Sequence, residues 1–300
     1  MANNSSVSLD STPVPENKEG GKRFKEIGKR LIQNRLACLG LVIIGLQIFM
    51  ALFAPLLTSY DPTAQELSVK ELPPGTEGHW LGTDEYGRDM WSRIIYGSRI
   101  SLIVGISSVI LGLVGGVVIG LLAGYYRWLD GLLMRLMDIM FSFPGILLAM
   151  LVIAMLGTSL VNVVIAISIW SIPSCARVVR GSVMSLKNQD FVTALRALGA
   201  SDGRILFKHI LPNCTAPIIV FATMRMATAI LSTSSLSFLG LGAQPPTPEW
   251  GAMIASGKDF MWTSPHMTII PGIAIMLVVF AFNVVGDGLR DALDPKMTEH

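Results

Sequence analysis

The sequence predicts an all-α polytopic membrane protein with six transmembrane helices. Hydrophobic residues make up 51% of the 300 residues and charged residues only 15%, whereas soluble domains carry about 25% charged residues. The mean hydropathy is +0.57, and the apolar residues are concentrated in runs long enough to cross a bilayer core of about 30 Å. Together these observations exclude an ordinary soluble globular domain.

Six apolar runs after residue 35 are the candidate spans. Each is close to the length of about 20 residues that a transmembrane helix needs. The runs at 139–156 and 160–178 contain Pro144 and Pro173, and proline can bend or break a helix. The runs cover residues 36–57, 101–124, 139–156, 160–178, 216–236 and 268–285.

The positive charges assign an orientation to these spans. With the N-terminus inside, the inner segments hold seventeen Lys and Arg residues and the outer segments hold five, while Arg225 lies within a span. Cytoplasmic segments of membrane proteins are enriched in Lys and Arg. The distribution therefore predicts a multi-pass protein of the cytoplasmic membrane with both termini in the cytoplasm.

The spans divide the chain into tails, loops and a core. The first 21 residues are polar and lack apolar periodicity, which predicts a disordered tail. The next segment is basic and amphipathic, which favours either a helix on the inner membrane surface or a plain positive flank. The predicted order begins with a disordered N-terminal tail at 1–21, a basic amphipathic cytoplasmic segment at 22–35, a first transmembrane helix at 36–57 and an external loop at 58–100. A core of five transmembrane helices follows at 101–290 and ends at a cytoplasmic C-terminus at 291–300. Within the core, the loop at 190–213 is cytoplasmic and the loop at 240–267 is external.

Four glycines recur at every fourth residue of the second run and therefore share one face of a helix. A face without side chains lets two helix backbones approach closely, and such faces are common in helical membrane proteins. The close contact is either within the chain, which is the more usual arrangement, or with a partner subunit. The glycines predicted to pack in this way are Gly112, Gly116, Gly120 and Gly124.

Residues 193–213, TALRALGASDGRILFKHILPN, are charged although they lie between two apolar runs. Asp190 can cap a short helix, and Gly199 suits the C′ position that ends it. Ser201 or Asp202 can cap a second helix. The first helix has an apolar face that needs a surface to bury it, either the protein's own helix ends or another subunit. The residues of that face are Phe191, Ala194, Leu195 and Leu198.

Arg225 lies midway along the fifth run. A charge at that depth is costly and faces a cavity or a counter-ion. It can meet the carboxylate of a passing substrate, because a guanidinium binds carboxylates through two parallel hydrogen bonds. It can also form an internal ion pair, for example with Asp138. Arg225 is therefore a candidate residue of a substrate path.

Alternating charges mark the outer segment near residue 88. Asp84 precedes Arg88 by four residues, and Asp89 precedes Arg93 by the same spacing, which suits pairs that stabilise a helix. The segment is interpreted either as a salt-bridged cap over the spans or as a dock for an external protein.

The sequence lacks a recognisable catalytic or metal-binding pattern. The four histidines are isolated, with no second ligand at i+3 or i+4, and the three cysteines indicate neither a disulfide framework nor a thiolate site. No Walker A sequence is present, because each Gly-Lys pair lacks the Ser or Thr that should follow. We therefore expect no catalytic residue, no metal and no bound cofactor on this chain.

Residues 193–213 resemble the EAA…G…ILP signature of permease subunits from ATP-binding-cassette (ABC) importers. Thr193 stands where that family most often has Glu, and Leu195 where it often has Ala. The residues that match the signature are Ala194, Gly199, Leu211 and Pro212.

Three further stretches, in the same order, resemble the second permease of peptide and nickel importers. The resemblance covers nearly the whole chain after about residue 22, and the central region is most similar to the glutathione-importer version. The stretches are HWLGTDEYGRDMWSRIIYGSRISL at 79–102, SFLGLGAQPPTPEWGAMI at 237–254 and FNVVGDGLRDALDPK at 282–296.

The resemblance implies the ABC importer permease fold, with a cytoplasmic coupling helix that docks on an ATPase subunit. It implies a transport subunit, not an enzyme, that moves dipeptides, oligopeptides or glutathione by alternating access. The implied partners are a second homologous permease in a heterodimer, two ABC ATPase subunits that use ATP and Mg, an external substrate-binding protein and membrane lipid, without nucleic acid. The residues implied to couple to the ATPase are Phe191, Thr193, Ala194, Leu195, Arg196, Leu198, Gly199, Ala200 and Asp202.

Other functions are compatible with parts of the pattern. A nickel or metal-chelate permease belongs to the same branch, although the spans lack the His residues that a bare metal ion favours. An ATP-independent channel would conduct alone, whereas the coupling segment predicts dependence on an ATPase. An intramembrane enzyme would need a catalytic pair at one depth, and no such pair is evident.

Overall fold

The computed structural model describes residues 27–293, and these residues are helical apart from their connecting loops. Five of the helices are long and apolar enough to cross a membrane, and a bent pair of shorter helices is a sixth candidate. The predicted all-α membrane fold is thereby confirmed. The predicted tail at 1–21 lies outside the described residues, as do parts of the segments 22–35 and 291–300.

The helices are numbered here in chain order from Arg35 onward. Residues 27–33 are also helical and precede the first of them. The numbered helices are α1 (Arg35–Leu57), α2 (Met90–Tyr125), α3 (Arg127–Phe141), α4 (Gly145–Leu156), α5 (Leu160–Lys187), α6 (Asp190–Ala197), α7 (Asp202–Arg204), α8 (Leu211–Asn213), α9 (Thr215–Phe238), α10 (Trp250–Gly257) and α11 (His266–Leu293). Short 3₁₀ turns span Leu67–Val69 and Lys258–Phe260, and a π-helical turn spans Ile205–Ile210.

Helix α1 begins where Asn34 interrupts the basic helical segment. The Asn34 side chain accepts hydrogen bonds from the backbone N–H groups of Leu36 and Ala37, at 3.1 and 3.2 Å. This is the N-cap arrangement that starts a helix. Further along α1, Gly40 faces α11, where an added Cβ would lie 2.8 Å from the Ala281 carbonyl oxygen. The two helices therefore pack backbone to backbone.

Helix α2 begins at Met90, so residues 90–100, which were predicted to belong to the external loop 58–100, are helical. Asp89 caps the helix, and its 36 residues extend about 54 Å. The charged residues Arg93 and Arg99 lie within this helix. Arg93 and Arg99 each donate to a backbone carbonyl of another segment, at 2.9 Å. The helix therefore continues beyond the length that a membrane requires.

The third predicted span, residues 139–156, is not one helix. Helices α3 and α4 meet at an angle of 89° across a short break. Pro144 occupies the N-cap of α4, and proline both lacks a backbone donor and disfavours helical conformation in the residue before it. Helix α3 is fastened to α5 by a bidentate ion pair between Asp130 and Arg180, at 2.6 and 2.7 Å.

The central core joins α2, α5, α9 and α11, with contributions from α1, α4 and α10. Its buried residues include Leu102, Ala166, Ile230 and Phe282, one from each main helix. A second cluster of buried apolar residues lies at one end of α2 and α5, around α6 and the π-helical turn. Thus the predicted coupling segment has a hydrophobic core of its own.

The predicted external loop at 240–267 contains α10, so it is not simply a loop. Helix α10 packs between α9 and α11. Trp250 is fully buried, and its indole N–H donates to the Ile94 carbonyl at 3.2 Å. The buried indole N–H therefore has a backbone acceptor in α2, as buried tryptophans usually do.

The outer charges pair differently from the predicted helical pattern. Asp84 and Arg88 form an ion pair at 2.6 Å, but in a turn and not on a helix. Asp89 contacts His79 at 2.9 Å, and Arg93 lies 3.4 Å from Asp84. The predicted Asp89–Arg93 pair is therefore wrong. Asp89 cannot serve it because its two oxygens are used by His79 and by the helix cap.

Candidate coupling site and membrane cavity

Helix α6 begins at Asp190 with Gln189 in the N-cap position. The sequence predicted Asp190 itself as the cap, but its side chain caps nothing, and the Gln189 carbonyl accepts from the N–H of Val192 at 3.0 Å. Asp190 still lies in the first turn, where the partial positive charge of the helix end favours a carboxylate.

The chain leaves α6 through a Schellman motif at Gly199. The Gly199 N–H donates to the Arg196 carbonyl at 2.9 Å, and the Ala200 N–H donates to the Leu195 carbonyl at 3.0 Å. Gly199 has φ +77°, the left-handed conformation that glycine adopts without a Cβ penalty. The glycine break is therefore a defined turn that sets the direction of the next helix.

Helix α6 has one face on the protein and one face open. Val192 is fully buried in the second core cluster, with Phe191, Leu195 and Ala200 partly buried beside it. Leu198 is 82% exposed. The buried face therefore differs from the predicted apolar face, since Val192 replaces two of its members. The residues of the coupling set that lie exposed are Thr193, Ala194, Arg196, Leu198, Gly199 and Asp202.

A tyrosine joins this segment to the end of α2. The Tyr125 hydroxyl donates to Asp202 at 2.6 Å, and the Arg196 guanidinium lies 5.4 Å from the centre of the Tyr125 ring. Lys187, the last residue of α5, donates to the Tyr125 carbonyl at 2.7 Å. Tyr125 therefore contacts the residues on both sides of the Gly199 turn and the end of α5.

The segment after the turn is anchored by apolar side chains. Ile205, Ile210 and Cys214 are fully buried against α5 and α6. The helical path widens to a π turn, in which the Leu211 N–H donates to the carbonyl of Leu206, five residues earlier. This turn brings Ile205 and Leu206 to the same buried side as Ile210, so the segment is held by its own core.

The four recurring glycines of α2 all lie against α5. A Cβ at Gly120 would lie 2.7 Å from the Val179 Cβ, and one at Gly124 would lie 2.7 Å from the Val183 Cβ. Gly116 and Gly112, one and two helical turns before Gly120, face Cys175 and Ser171 respectively. In this structure the glycine face is a contact within the chain.

Arg225 lies in α9 without an acidic partner among residues 27–293. The predicted pair with Asp138 is wrong, because Asp138 binds Arg177 at 2.6 Å. The Arg225 guanidinium instead lies 5.4 Å from the Trp170 ring centre and 5.7 Å from that of Phe221. Aromatic faces attract a cation, although they carry no net negative charge.

Three residues that matter here were not singled out in the sequence. Val192 is the central anchor of α6, Tyr125 ties α2 to the coupling segment, and Ser108 lines the same cavity as Arg225. The spacing of Val192 and Leu195 is compatible with one helical face. Tyr125 and Ser108 depend on contacts across about 60 to 80 residues, which local pattern does not reveal. Among the described residues, no group of three or more His, Cys, Asp or Glu side chains is arranged to hold a metal ion.

Comparisons with known proteins agree with this architecture. A family profile described as the binding-protein-dependent transport system inner membrane component matches residues 116–299, and the N-terminal TM domain of oligopeptide transport permease C matches residues 22–74. Structures of the MetNI methionine ABC transporter in inward-facing conformations share the fold, with a TM-score of 0.56 and 19% identity over 68% of this chain and 98% of that chain.

Curated relatives align over nearly the whole chain. The dipeptide transport system permease protein DppC of Alkalihalophilus pseudofirmus is 50% identical over 96% of this chain and 95% of its own length. The di/tripeptide transport system permease protein DppC of Pseudomonas aeruginosa is 48% identical over 91% and 92%. The glutathione transport system permease protein GsiD of Pectobacterium atrosepticum is 46% identical over 96% of each chain.

The predicted permease fold and the predicted role as a transport subunit, not an enzyme, are thereby confirmed. In such a system a partner ATPase hydrolyses ATP and a binding protein presents the substrate. The chain belongs to the family of inner membrane permease components of binding-protein-dependent ABC transport systems.

Proposed function

We propose that this chain is one permease of an ATP-driven importer that moves small peptides across the cytoplasmic membrane of a bacterium. It pairs with a second homologous permease, and the two bind two ABC ATPase subunits and receive substrate from an external binding protein. The names of the relatives above, which specify dipeptides, di/tripeptides and glutathione, support this substrate class. ATP and Mg are used by the ATPase subunits.

The observation that carries the proposal is the divided surface of α6. Its inner side is anchored by Val192, while Leu198 at its end is 82% exposed next to a fixed glycine turn. A large apolar side chain on a short helix with a defined exit is suited to a partner surface. We assign the exposed set around Leu198 to ATPase contact, with Phe191, Leu195 and Ala200 supporting it from the inner side.

Movement of α6 reaches the membrane through two connections. Val192 packs in one cluster with Val183 of α5 and Leu121 of α2, and Tyr125 ties the end of α2 to Asp202. Because packed cores move as units and do not deform continuously, closure of the ATPases displaces α2 and α5 together. Tilting of these helices exchanges outward and inward openings, which is alternating access.

The charge distribution supports the proposed topology. The segments on the α6 side of the spans hold most of the Lys and Arg residues, as cytoplasmic segments do. We therefore assign α6 and both termini to the cytoplasm and the segment before Met90 to the outer side. Exposed apolar residues on the long helices, such as Val42 and Val114, contact membrane lipid.

Uptake into vesicles tests the proposed function. The chain, its partner subunits and the binding protein are reconstituted, and entry of labelled glutathione, of a labelled dipeptide and of labelled nickel is measured with and without ATP. ATP-dependent entry of either peptide supports the proposal, and the faster one gives the substrate class. Equal entry without ATP would indicate a channel, and ATP-dependent entry of nickel alone would indicate a metal permease.

A co-purification experiment tests the role of Leu198. Leu198→Asp should release the ATPase subunits from the detergent-solubilised complex, because a carboxylate replaces the exposed apolar contact. Leu67→Asp is the matched control, since Leu67 is 66% exposed but lies in the segment assigned to the outer side. Retention of the ATPases by the Leu198 variant would contradict the assignment of α6.

A further inference from the structure

A small polar cavity lies between α2, α5 and α9, among the helices that span the membrane. The polar residues that line it are Ser108, Ser171, Arg225 and Thr228, with Trp170 as its aromatic wall. Its volume is about 10 Å³, which is close to the smallest space that holds a water molecule. The cavity lies where the three helices meet, and Thr228 at its edge is exposed.

The charge of Arg225 is not neutralised by the protein around it. Within residues 27–293 no Asp or Glu side chain lies within 4.0 Å of its guanidinium. The two acids of α3 are already bound, Asp130 to Arg180 and Asp138 to Arg177, each at 2.6 Å. A guanidinium at this depth is costly without a counter-ion, so the cavity favours an anion.

The hydroxyl groups of the cavity differ in whether they can donate a hydrogen bond to an anion bound there. Ser171 donates to the Ser168 carbonyl at 3.0 Å, and Thr228 donates to the Arg225 carbonyl at 3.0 Å, so both protons are used. The Ser108 hydroxyl has no partner, although Ser108 is only 1% exposed. A buried hydroxyl without a hydrogen bond is unfavourable. The Arg225 guanidinium and the Ser108 hydroxyl therefore line one cavity as two donors to which no described acceptor is bound.

We propose that this cavity binds the free carboxylate of a peptide during its passage through the membrane, an inference that rests on the function proposed above. Arg225 binds the carboxylate oxygens through its planar fork, and Ser108 donates a further hydrogen bond. Trp170 holds the guanidinium in place while the site is empty, at 5.4 Å. Separation of α9 from α2 and α5 during transport opens the cavity enough to admit the group.

Transport of paired substrates tests this site. The complex and its binding protein are reconstituted in proteoliposomes, and ATP-dependent entry is compared for a dipeptide and for its C-terminal amide. The readout is the ratio of free-acid to amide entry at saturating binding protein. The ratio measured for each variant is divided by the ratio measured for the wild type, so any preference of the binding protein for one peptide cancels.

Arg225→Gln should lower that ratio by about tenfold or more, because hydrogen bonds to a charged group are the strong ones. Arg225→Lys should keep part of the preference, since it keeps the charge but loses the fork, and Ser108→Ala should lower the ratio severalfold. Thr223→Ala is the control, because Thr223 is half-buried on the same helix, does not line the cavity and donates only to its own helix. It should keep the wild-type ratio.

The outcomes separate the two proposals. If the Arg225 and Ser108 variants reduce free-acid and amide entry equally, the cavity is structural and the carboxylate site is overturned. The same holds if the ratio stays at the wild-type value. If the wild-type complex, with its ATPase active, carries neither peptide, the proposed peptide transport itself fails. ATP hydrolysis by each purified complex shows whether the variant subunit has folded and assembled.

Discussion

The Tyr125 hydroxyl donates a 2.6 Å hydrogen bond to the carboxylate of Asp202, 77 residues later in the chain. This bond joins the end of the longest membrane helix to the segment that follows the Gly199 turn. The Arg196 guanidinium lies on the ring of the same tyrosine, on the other side of the turn. Tyr125 therefore gives the proposed coupling segment a polar link to α2, in addition to the apolar cluster that contains Val192 and Leu121.

Removal of the Tyr125 hydroxyl should loosen this connection. We expect Tyr125→Phe to leave the ring packing intact and to weaken the link by about 1.5 kcal/mol, the low end for a hydrogen bond to a charged group at a partly exposed site. The amount of peptide transported per ATP hydrolysed should fall in proteoliposomes. ATP hydrolysis continues, but a displacement of the proposed coupling segment moves α2 less. Tyr126→Phe is the adjacent control and should leave the ratio at the wild-type value. An unchanged ratio in the Tyr125 variant would remove this residue from the coupling path.

The Gly199 turn should be sensitive to any side chain for a reason of backbone geometry alone. An added Cβ would meet no atom within 4 Å, but the φ of +77° remains. We expect Gly199→Ala to cost about 1 to 2 kcal/mol in the left-handed conformation. Gly199→Pro, whose φ is fixed near −65°, should abolish the turn and uncouple ATP hydrolysis from uptake.

Gly203→Ala provides the control for the Gly199 variants. Its Cβ would also meet open space, and its φ lies outside the left-handed range. It should keep both hydrolysis and uptake near the wild-type level. Coupled transport by Gly199→Pro would contradict the assignment of this segment as the coupling element.

The sequence predicted the turn at Gly199 correctly because a Schellman end depends on local chemistry, namely one glycine after an apolar periodic stretch. It did not predict which side of α6 is buried. The set of Phe191, Ala194, Leu195 and Leu198 fits a helical face as well as the set with Val192 does, and only the packing of α5 against that helix distinguishes them. Tyr125 and Ser108 were missed for the same reason, since Asp202, which binds Tyr125, and Arg225, which shares a cavity with Ser108, lie on other helices.

The predicted spans also show which features follow from the local sequence and which depend on contacts between distant segments. Apolar length was sufficient to locate the long helices but not the start of α2 at Met90, because Arg93 and Arg99 bind backbone carbonyls of other segments that the local sequence does not reveal. The break at Pro144 could have been inferred from proline chemistry. The unpaired charge of Arg225 is a property of the assembled structure, since the loss of Asp138 as a partner depends on Arg177.

The contact between α2 and α5 should not tolerate even one added methyl group. At Gly120 a Cβ would lie 2.7 Å from both the Ala176 carbonyl oxygen and the Val179 Cβ. We expect Gly120→Ala to destabilise the subunit by about 1 to 3 kcal/mol, the usual cost of overpacking. Gly45→Ala, where a Cβ meets no atom within 4 Å, should change stability by less than about 0.5 kcal/mol. Thermal unfolding of the purified complexes measures both, and equal stability of the two variants would argue against close packing at Gly120.

Glu249 should make the stability of the chain depend on pH. Its carboxylate is fully buried at the start of α10, where it accepts a hydrogen bond from the Ala252 N–H at 2.8 Å and lies 3.4 Å from the Ser234 hydroxyl. Burial raises the pKa of Glu249 above its ordinary value of 4.5, and this effect outweighs the hydrogen bonds that lower it. The folded chain therefore binds this proton more tightly than the unfolded chain does.

The sign of the effect follows from that difference in proton binding. Between pH 4.5 and the raised pKa the folded state holds more protons, so the free energy of unfolding falls as pH rises through this window and is level above it. Glu85 shifts in the same direction for the same main cause, so the wild type alone does not isolate Glu249. Glu249→Gln keeps an acceptor oxygen for Ala252 but cannot titrate. We expect the unfolding temperature to fall less with rising pH in Glu249→Gln than in the wild type, and an identical pH profile for the two proteins would show that Glu249 does not contribute.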